Sequence, residues 1–441
     1  MAASRAEAYR IGARLLVALM LTLALEGRAA TPDTPDLSWG RFDLRLDGYI
    51  RAGLGLSRDG ATQAVFQAPG ARAKYRLGNE PETYFELGFD GRYALGAATG
   101  DDAPTVQGVF LSAGYAPFGE SASLGINDIV QAWLAFGLSG LKKTRVWAGR
   151  RYYDRKDIHL NDYFWLNPGQ GAHAGLGVEG LAVLGSELKV AVFRLEDSNA
   201  PEDSLLDSTS VDLRLAGVDT LPGGALTLWA QYVWRHANDS AGFPEREGFG
   251  VGFWHDQKRV LGLSADHTLA LLYREGPALT QSPTNARPIR EDQGYDLEGA
   301  RTWELNSSLL FEANSRWAVQ WAVVLRWEDR GLGGEDRLRW LSTGVRPMYF
   351  LREHVHLALE LGYDHVKDAG AARVGNLTKL TGVLQFGRAR EYFSRPVLRL
   401  FGTGAWWSRS FSGLVGSGPG NAPYGDNTRG WTVGTQIEAW W

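Results

Sequence analysis

Apolar and polar side chains alternate with a period of two residues along several stretches of this sequence. In FDLRLDGYIRAGL, residues 42–54, apolar side chains and glycine hold the even-numbered positions, and mostly charged side chains hold the odd-numbered ones up to Arg51. The same alternation occupies residues 317–328, residues 354–364 and the C-terminal stretch WTVGTQIEAWW. Because successive side chains of a β-strand point to opposite faces, the pattern predicts strands with one apolar and one polar face.

The length of these runs favours the strands of a membrane barrel over those of a soluble sheet. Each covers about 9–13 residues, the span of a tilted strand that crosses a bilayer, whereas strands of soluble sheets are mostly about 5–6 residues long. Glycine-rich connections such as DRGLGGEDR separate the runs, and the chain has 55 glycines and 17 tryptophans. No repeat has the spacing of a propeller. The sequence therefore predicts an all-β fold, a transmembrane antiparallel β-barrel with its apolar face on lipid and its polar face inward.

The two ends of the chain agree with an exported membrane protein. Three arginines precede the apolar run Leu15–Leu25, and the small residues that follow predict a signal peptide over residues 1–29. We expect a short segment over residues 30–40 and a single barrel domain over residues 41–441. The last residue, Trp441, falls on the apolar face, as is typical of the assembly signals of outer-membrane barrels.

Several stretches, taken in order, resemble the maltoporin family of sugar-specific porins. They are GYIRAGLGL, FQAPGARAKYRLGNEPETYFEL, VWAGRRYYDRKDIHLNDYFW, TGVRPMYF, LELGYDHV, FSRPVLRLF and GTQIEAWW, which together run from Gly48 to Trp441. The resemblance implies an eighteen-stranded barrel, a homotrimer in the outer membrane of a Gram-negative bacterium, and a channel narrowed by an inward-folded loop. It also implies facilitated diffusion of maltose and maltodextrin-type oligosaccharides along a line of aromatic rings and a row of charged groups.

The resemblance assigns residues to both features. The aromatic slide comprises Tyr49, Tyr84, Phe393 and Trp440, and Phe393 stands where the family usually has tryptophan. The alternation independently places Tyr49, Tyr84 and Trp440 on the inward face. The polar track comprises Arg51, Arg76, Glu86, Arg155, Asp157, His159 and Asp162. Phe164 stands at the constriction, where the family has tyrosine, and the change removes one hydroxyl.

Other roles for these side chains stay open from the sequence. A porin interior is polar throughout, so any charged residue of the track could line the lumen or fix a loop through a salt bridge. For the ring that a neighbouring subunit donates in this family, Phe118 is the candidate. For the ring from the middle of the chain, the candidates are Phe249 and Phe253.

Other functions would require sequence features of their own. A general diffusion porin with weak selectivity is the alternative to a sugar-specific one. A barrel enzyme would need a nucleophile beside a histidine, and we find no such signature. We expect no cofactor, no metal and no nucleic acid, since the net charge of −4 gives no basic footprint. Expected partners are an oligosaccharide, outer-membrane lipid and two further copies of the chain, and the outer loops could also bind a phage or another surface ligand.

Overall fold

The computed structural model describes most of the chain. The described residues are 37–58, 63–95, 104–116, 128–138, 141, 143–169, 172–196, 207–282, 285–289, 291–314, 316–333, 336–416 and 424–441. The predicted signal peptide, residues 30–36 and Phe118 lie outside them. The domain boundaries given above therefore stay predictions.

Long antiparallel strands make up nearly all of the regular structure. Within the described ranges the strands are β1 Leu37–Trp39, β2 Phe42–Ser57, β3 Thr83–Ala94, β4 Thr105–Ala116, β5 Asp128–Gly137, β6 Arg145–Arg150, β7 Lys156–Ile158, β8 Tyr163–Leu166, β9 Ala172–Val183, β10 Ser186–Glu196, β11 Asp207–Asp219, β12 Gly224–Arg235, β13 Arg246–Lys258, β14 Ala265–Glu275, β15 Thr280–Ser282, β16 Asn285–Pro288, β17 Arg301–Asn314, β18 Trp317–Asp329, β19 Arg337–Phe350, β20 Val355–Asp368, β21 Arg373–Gly387, β22 Val397–Trp407 and β23 Arg429–Trp440. The helices in these ranges are single 3₁₀ turns, and none is long and apolar enough to cross a membrane.

Eighteen of the described strands pair with their neighbours into one closed ring. The ring leaves out the short strand β1 and the two local hairpins β7–β8 and β15–β16. It closes where β2 pairs with β23, with Tyr49 opposite Trp440. One residue further on, the backbones of Gly48 and Trp441 exchange two hydrogen bonds of 3.1 Å. Closure pairs backbone groups that lipid cannot satisfy, and the prediction of a transmembrane antiparallel barrel is confirmed.

The two faces of the sheet differ as the alternation predicts. Along β18, Trp317, Trp321 and Trp327 are exposed on the outer face, whereas Ala318 and the other alternate residues point inward and are buried. Outward rings also contact one another across strands: the ring centroids of Trp303 on β17 and Tyr273 on β14 lie 4.6 Å apart. Such rings suit the boundary between lipid and water, where a flat apolar body meets a polar edge.

The connections between strands divide the barrel into two unlike ends. The longest connections, residues 58–82, 151–171, 276–300 and 408–428, lie at one end, here called the long-loop end. The opposite, short-turn end carries connections as short as residues 184–185, together with the C-terminus. Connections at the long-loop end have enough chain to fold back over the barrel interior.

The first long connection packs against the polar-rich inner face of β19 to β21. The Tyr75 hydroxyl lies 2.9 Å from the Ser342 hydroxyl, and the Lys379 ammonium donates a 2.7 Å hydrogen bond to the carbonyl of Leu77. The ring of Tyr75 lies so close to Gly344 and Gly362 that a Cβ atom at either position would come within 2.1 Å of it. Glycine on two adjacent strands is therefore what allows this segment to lie flat on the wall.

Candidate functional site

A row of aromatic rings crosses the inner face at the seam of the barrel. The rings of Trp440 on β23 and Tyr49 on β2 are nearly parallel, with centroids 6.3 Å apart. The ring of Tyr84 on β3 follows at 5.8 Å from Tyr49. Beyond Trp440, the imidazole of His159 lies 6.4 Å away, and the ring of Phe393 lies 5.0 Å from that imidazole. The structure thus brings the four sequence-predicted slide residues together.

Exposure distinguishes this row from the other inward rings. Among the described barrel strands, the inward-facing aromatic side chains that escape burial are Tyr49, Tyr84, Trp440 and a fourth, Tyr115 on β4. Tyr115 is not among the predicted slide residues, although its alternate position on β4 indicates the inner face. The remaining inward rings are covered by other side chains: Trp133, Trp147, Phe193, Trp229, Trp254, Trp340, Phe350, Phe401 and Trp407. The open rings belong to four adjacent strands, β23, β2, β3 and β4.

The buried carboxylate of Glu438 holds the part of the row formed by Tyr49 and Trp440. Glu438, only 2% exposed, accepts a 3.0 Å hydrogen bond from the Tyr49 hydroxyl. It forms ion pairs of 2.8 Å with both Arg395 and Arg399. The guanidinium of Arg395 in turn lies 4.1 Å from the centroid of the Trp440 ring. Charge-assisted bonds of this kind are short and directional, so this network fixes the positions of the Tyr49 and Trp440 rings.

The two arginines predicted from the N-terminal stretches belong to the same network. Arg51 pairs with Glu82 at 2.7 Å, and Arg76 pairs with Glu80 at 2.7 Å. A nitrogen of Arg76 also lies 3.1 Å from Nδ1 of His159. Burial, helped by the positive charge of Arg76, holds the pKa of His159 well below its ordinary value, so the imidazole is neutral. The geometry gives both arginines a structural role whether or not they also meet a solute.

A second polar group surrounds Tyr84. The Glu86 carboxylate accepts hydrogen bonds from the hydroxyls of Tyr84 and Tyr152, at 2.5 and 3.3 Å. The guanidinium of Arg155 lies between two rings, 4.2 Å from the centroid of Tyr152 and 5.1 Å from that of Phe164. Stacking on rings leaves the edge of a guanidinium, with its N–H donors, directed away from them. Arg155 is therefore held in place without losing its hydrogen-bonding capacity.

The two predicted aspartates lie close to these groups. Asp157 on β7 is directly opposite Phe164 on β8. Burial raises the pKa of its carboxyl above the ordinary value, against the opposing pull of the nearby Arg155 charge. Asp162 adopts a left-handed backbone with φ of 57°, and its carboxylate lies 3.9 Å from Arg76. Both aspartates therefore stand beside arginines of the predicted track.

Contacts from several strands anchor the segment 151–169 that carries these residues. Tyr163 meets the ring of Trp340 at 5.1 Å, and Trp165 meets the ring of Trp254 at 5.5 Å. The guanidinium of Arg274 donates a 2.6 Å hydrogen bond to the carbonyl of Trp165. These partners are inward residues of β13, β14 and β19. Rings at alternate positions of the segment therefore dock it on the wall, whereas Phe164 between them stays partly exposed.

The candidates from the middle of the chain are wrong. Phe249 lies opposite Tyr232, and Phe253 lies opposite Leu228, and both phenylalanines are exposed on the outer, apolar face. The inward ring of that strand is Trp254, which is 1% exposed. Glycines at alternate positions around Phe249 leave no polar residue to mark the inner face, which is why the sequence pattern did not assign the side.

The surface along the row combines ring faces with polar groups. Among the described residues, no three His, Asp or Glu side chains are grouped as the ligands of a metal ion would be. The exposed elements are ring faces together with the edges of guanidinium, carboxylate and hydroxyl groups. Such a surface presents flat apolar contact on one side and hydrogen-bonding groups on the other.

The chain matches one family model and is distantly similar to several solved structures. The family model described as LamB porin matches residues 44–441. Among solved structures, OmpF of Salmonella typhi in complex with daunomycin is 12% identical over 90% of this chain and 98% of that chain, with a TM-score of 0.48. OpdK of Pseudomonas aeruginosa with vanillate is 13% identical over 90% and 98%, with a TM-score of 0.46. The trimer form of OmpT from Vibrio cholerae is 9% identical over 91% and 100%, with a TM-score of 0.41. Because the family match spans the whole barrel, this outer-membrane β-barrel belongs to the LamB porin family.

Proposed function

We propose that this porin carries out facilitated diffusion of maltose and maltodextrin-type oligosaccharides. Its family and fold make it an outer-membrane diffusion channel rather than an enzyme. The observation that supports sugar selectivity is the contiguous row of Trp440, Tyr49 and Tyr84, whose rings stay open while most other inward rings are covered. The alternative is a general porin with weak selectivity, which is favoured because Arg51 and Arg76 both pair with the buried carboxylate of Glu80 in the first long connection.

The physical reason for rings beside charges lies in the shape of a pyranose. Its two faces are rich in C–H groups and its rim carries hydroxyls, so a ring face offers contact that does not depend on one orientation. Charged groups beside the row replace the hydrogen bonds with water that the rim loses. Because passage requires affinity that is spread over several weak sites, an open row of rings suits conduction better than one deep pocket does.

The roles of the remaining residues follow from their positions. We assign contacts with sugar hydroxyls to Arg155, Asp157 and Asp162. We assign the same role to His159 and Arg76, nearer the short-turn end. Glu86 orients two tyrosine hydroxyls and presents its carboxylate to the pathway. Phe393 extends the row toward the short-turn end. The segment 151–169 narrows the channel, with Phe164 as its bulk, and three copies of the chain form the assembled porin.

The test measures sugar block of ion current in planar bilayers, with the substitutions Tyr84→Ala and Trp440→Ala. Each should weaken block by maltodextrins while open-channel conductance hardly changes, because ring faces contact sugars rather than ions. The matched control is Tyr232→Ala, which removes an exposed ring of the outer face. Unchanged sugar affinity in both inward variants would remove these rings from the pathway. A wild-type current that no sugar blocks at low concentration would favour the general porin.

A further inference from the structure

Four basic side chains share the outer face of the barrel at the long-loop end. Arg301 belongs to β17, Arg337 and Arg339 belong to β19, and Lys367 belongs to β20. Together they form a cationic surface on strands that are neighbours in the ring. We propose that this cationic surface binds a phosphorylated lipid headgroup of the outer leaflet. Such binding would be independent of the solute that passes through the lumen.

Strand register places part of the cationic surface at the depth of lipid headgroups. Arg339 lies directly opposite Trp327 on one side and directly opposite Lys367 on the other. Trp327 in turn lies opposite Trp303, and both rings are exposed on the outer face. Outward tryptophans of a barrel mark the level of the headgroups. Because residues that lie opposite each other share one level and one face of the sheet, Arg339 and Lys367 lie at that depth.

The other two cations extend this surface toward the long-loop end. Arg301 and Arg337 are the first residues of their strands, each two positions before an outward residue of the tryptophan level. Two residues of a strand advance about 6.6 Å, and β17 to β20 span about 14 Å across the sheet. Since outer-membrane barrels turn their longer loops to the outside, the cationic surface meets the outer leaflet.

The wall does not balance the charges of the cationic surface. Asp329 lies 3.7 Å from Arg301 and 3.5 Å from Arg337, so one carboxylate serves two guanidinium groups. Arg339 and Lys367 are both exposed, and within the described ranges neither makes an ion pair. Like charges directly opposite each other destabilise a sheet. A negatively charged group between Arg339 and Lys367 would remove that repulsion.

Neighbouring residues limit the cationic surface on both sides. On β14, Glu275 lies opposite Arg301 and accepts a 2.8 Å hydrogen bond from the Tyr273 hydroxyl. On β21, the apolar side chain of Val374 lies opposite Lys367. The most positive part is therefore the group on β19 and β20.

Phosphate is the anion that suits this group of side chains. A guanidinium presents a planar pair of N–H donors that matches two phosphate oxygens, and an ammonium adds a compact charge. Each Lys or Arg near the surface of an anionic membrane contributes to the attraction. The tryptophans at the same level offer apolar contact to the acyl chains below the headgroup. The cationic surface and its border thus match both parts of an anionic lipid.

The experiment measures retention of lipids by the detergent-solubilised, full-length porin, with native mass spectrometry as the readout. The probes are diphosphoryl lipid A, monophosphoryl lipid A and phosphatidylcholine. Wild-type porin should bind the diphosphoryl lipid most tightly and phosphatidylcholine least. The double variant Arg339→Gln with Lys367→Gln should bind the diphosphoryl lipid roughly thirtyfold more weakly, because two surface cations are lost. The control Lys258→Gln, which removes an exposed cation of the short-turn end, should keep wild-type affinity.

A charge reversal separates lipid binding from a purely structural effect. Lys367→Glu places an opposite charge directly across from Arg339, so the repulsion within the sheet becomes an attraction. This variant should unfold at a higher urea concentration than wild type in phosphatidylcholine vesicles, and it should lose affinity for diphosphoryl lipid A. A gain in stability with wild-type lipid affinity would show that these cations only face solvent, and would refute the proposal.

Other results would also overturn the assignment. Wild-type affinity of the double variant for diphosphoryl lipid A would exclude Arg339 and Lys367 from lipid binding. Equal affinity of wild-type porin for diphosphoryl lipid A and phosphatidylcholine would exclude recognition of phosphate charge. Loss of the trimer in the double variant, visible in the same spectra, would make this face a contact between copies of the chain instead.

Discussion

Replacing Glu438 by glutamine tests whether one buried carboxylate holds the seam of the barrel. Its side chain meets Arg395 and Arg399 at 2.8 Å and the Tyr49 hydroxyl at 3.0 Å. At an effective dielectric constant of about 20, a pair of opposite charges about 4 Å apart is worth about 4 kcal/mol before desolvation. Removing one partner of a buried pair leaves the other charge uncompensated and costs about 3–5 kcal/mol. We expect Glu438→Gln to lower the free energy of unfolding by that amount.

The assay is urea unfolding of the barrel refolded into lipid vesicles, and Glu86→Gln is the matched control. Glu86→Gln also removes one negative charge from the lumen, but the Glu86 carboxylate accepts its hydrogen bonds from the hydroxyls of Tyr84 and Tyr152. Both variants should shift the reversal potential in a KCl gradient toward anion selectivity, because each removes a fixed negative charge. Only Glu438→Gln should lose several kcal/mol of stability. Equal stabilities of the two variants would refute the role given to Glu438.

Three further predictions concern the constriction and the assembly. Phe164→Ala should raise single-channel conductance, and a wild-type conductance for this variant would place Phe164 away from the narrowest point. Phe164→Tyr should leave conductance nearly unchanged and tighten maltodextrin block by at most about 1.5 kcal/mol, the net value of one hydrogen bond. Arg155→Ala should weaken sugar block and shift ion selectivity toward cations, as reversal potentials would show, and wild-type values for both would exclude it from the lumen. The porin should be recovered from outer membranes only with detergent, as a heat-modifiable trimer that resists SDS; a soluble monomer in the periplasm would contradict this.

The barrel and the inward side of the principal rings were predictable because both depend on a local period of two. The side of Tyr49 follows from the charged residues at alternate positions beside it, and Trp440 follows from its parity with respect to Trp441. Phe249 was not predictable in this way, because the glycines around it give both faces of the strand an apolar pattern.

Whether another side chain covers an inward ring was not predictable from the sequence, because this depends on contacts between distant parts of the chain. Trp340 and Tyr115 both face inward, yet Trp340 is buried against the ring of Tyr163, whereas Tyr115 is 50% exposed. The segments that decide this lie in connections without strand periodicity. The same limit applies to Arg155, whose place between Tyr152 and Phe164 arises from the fold of one such connection.

The pairing of β2 with β23 has a consequence for biogenesis. Trp440 lies opposite Tyr49, and the backbone of Trp441 is hydrogen-bonded to that of Gly48, near the middle of β2. The ring cannot close until β23 has been made and exported, and the stacked pair of Tyr49 and Trp440 forms in the same event. A chain without β23 therefore lacks both a sealed wall and the centre of the aromatic row.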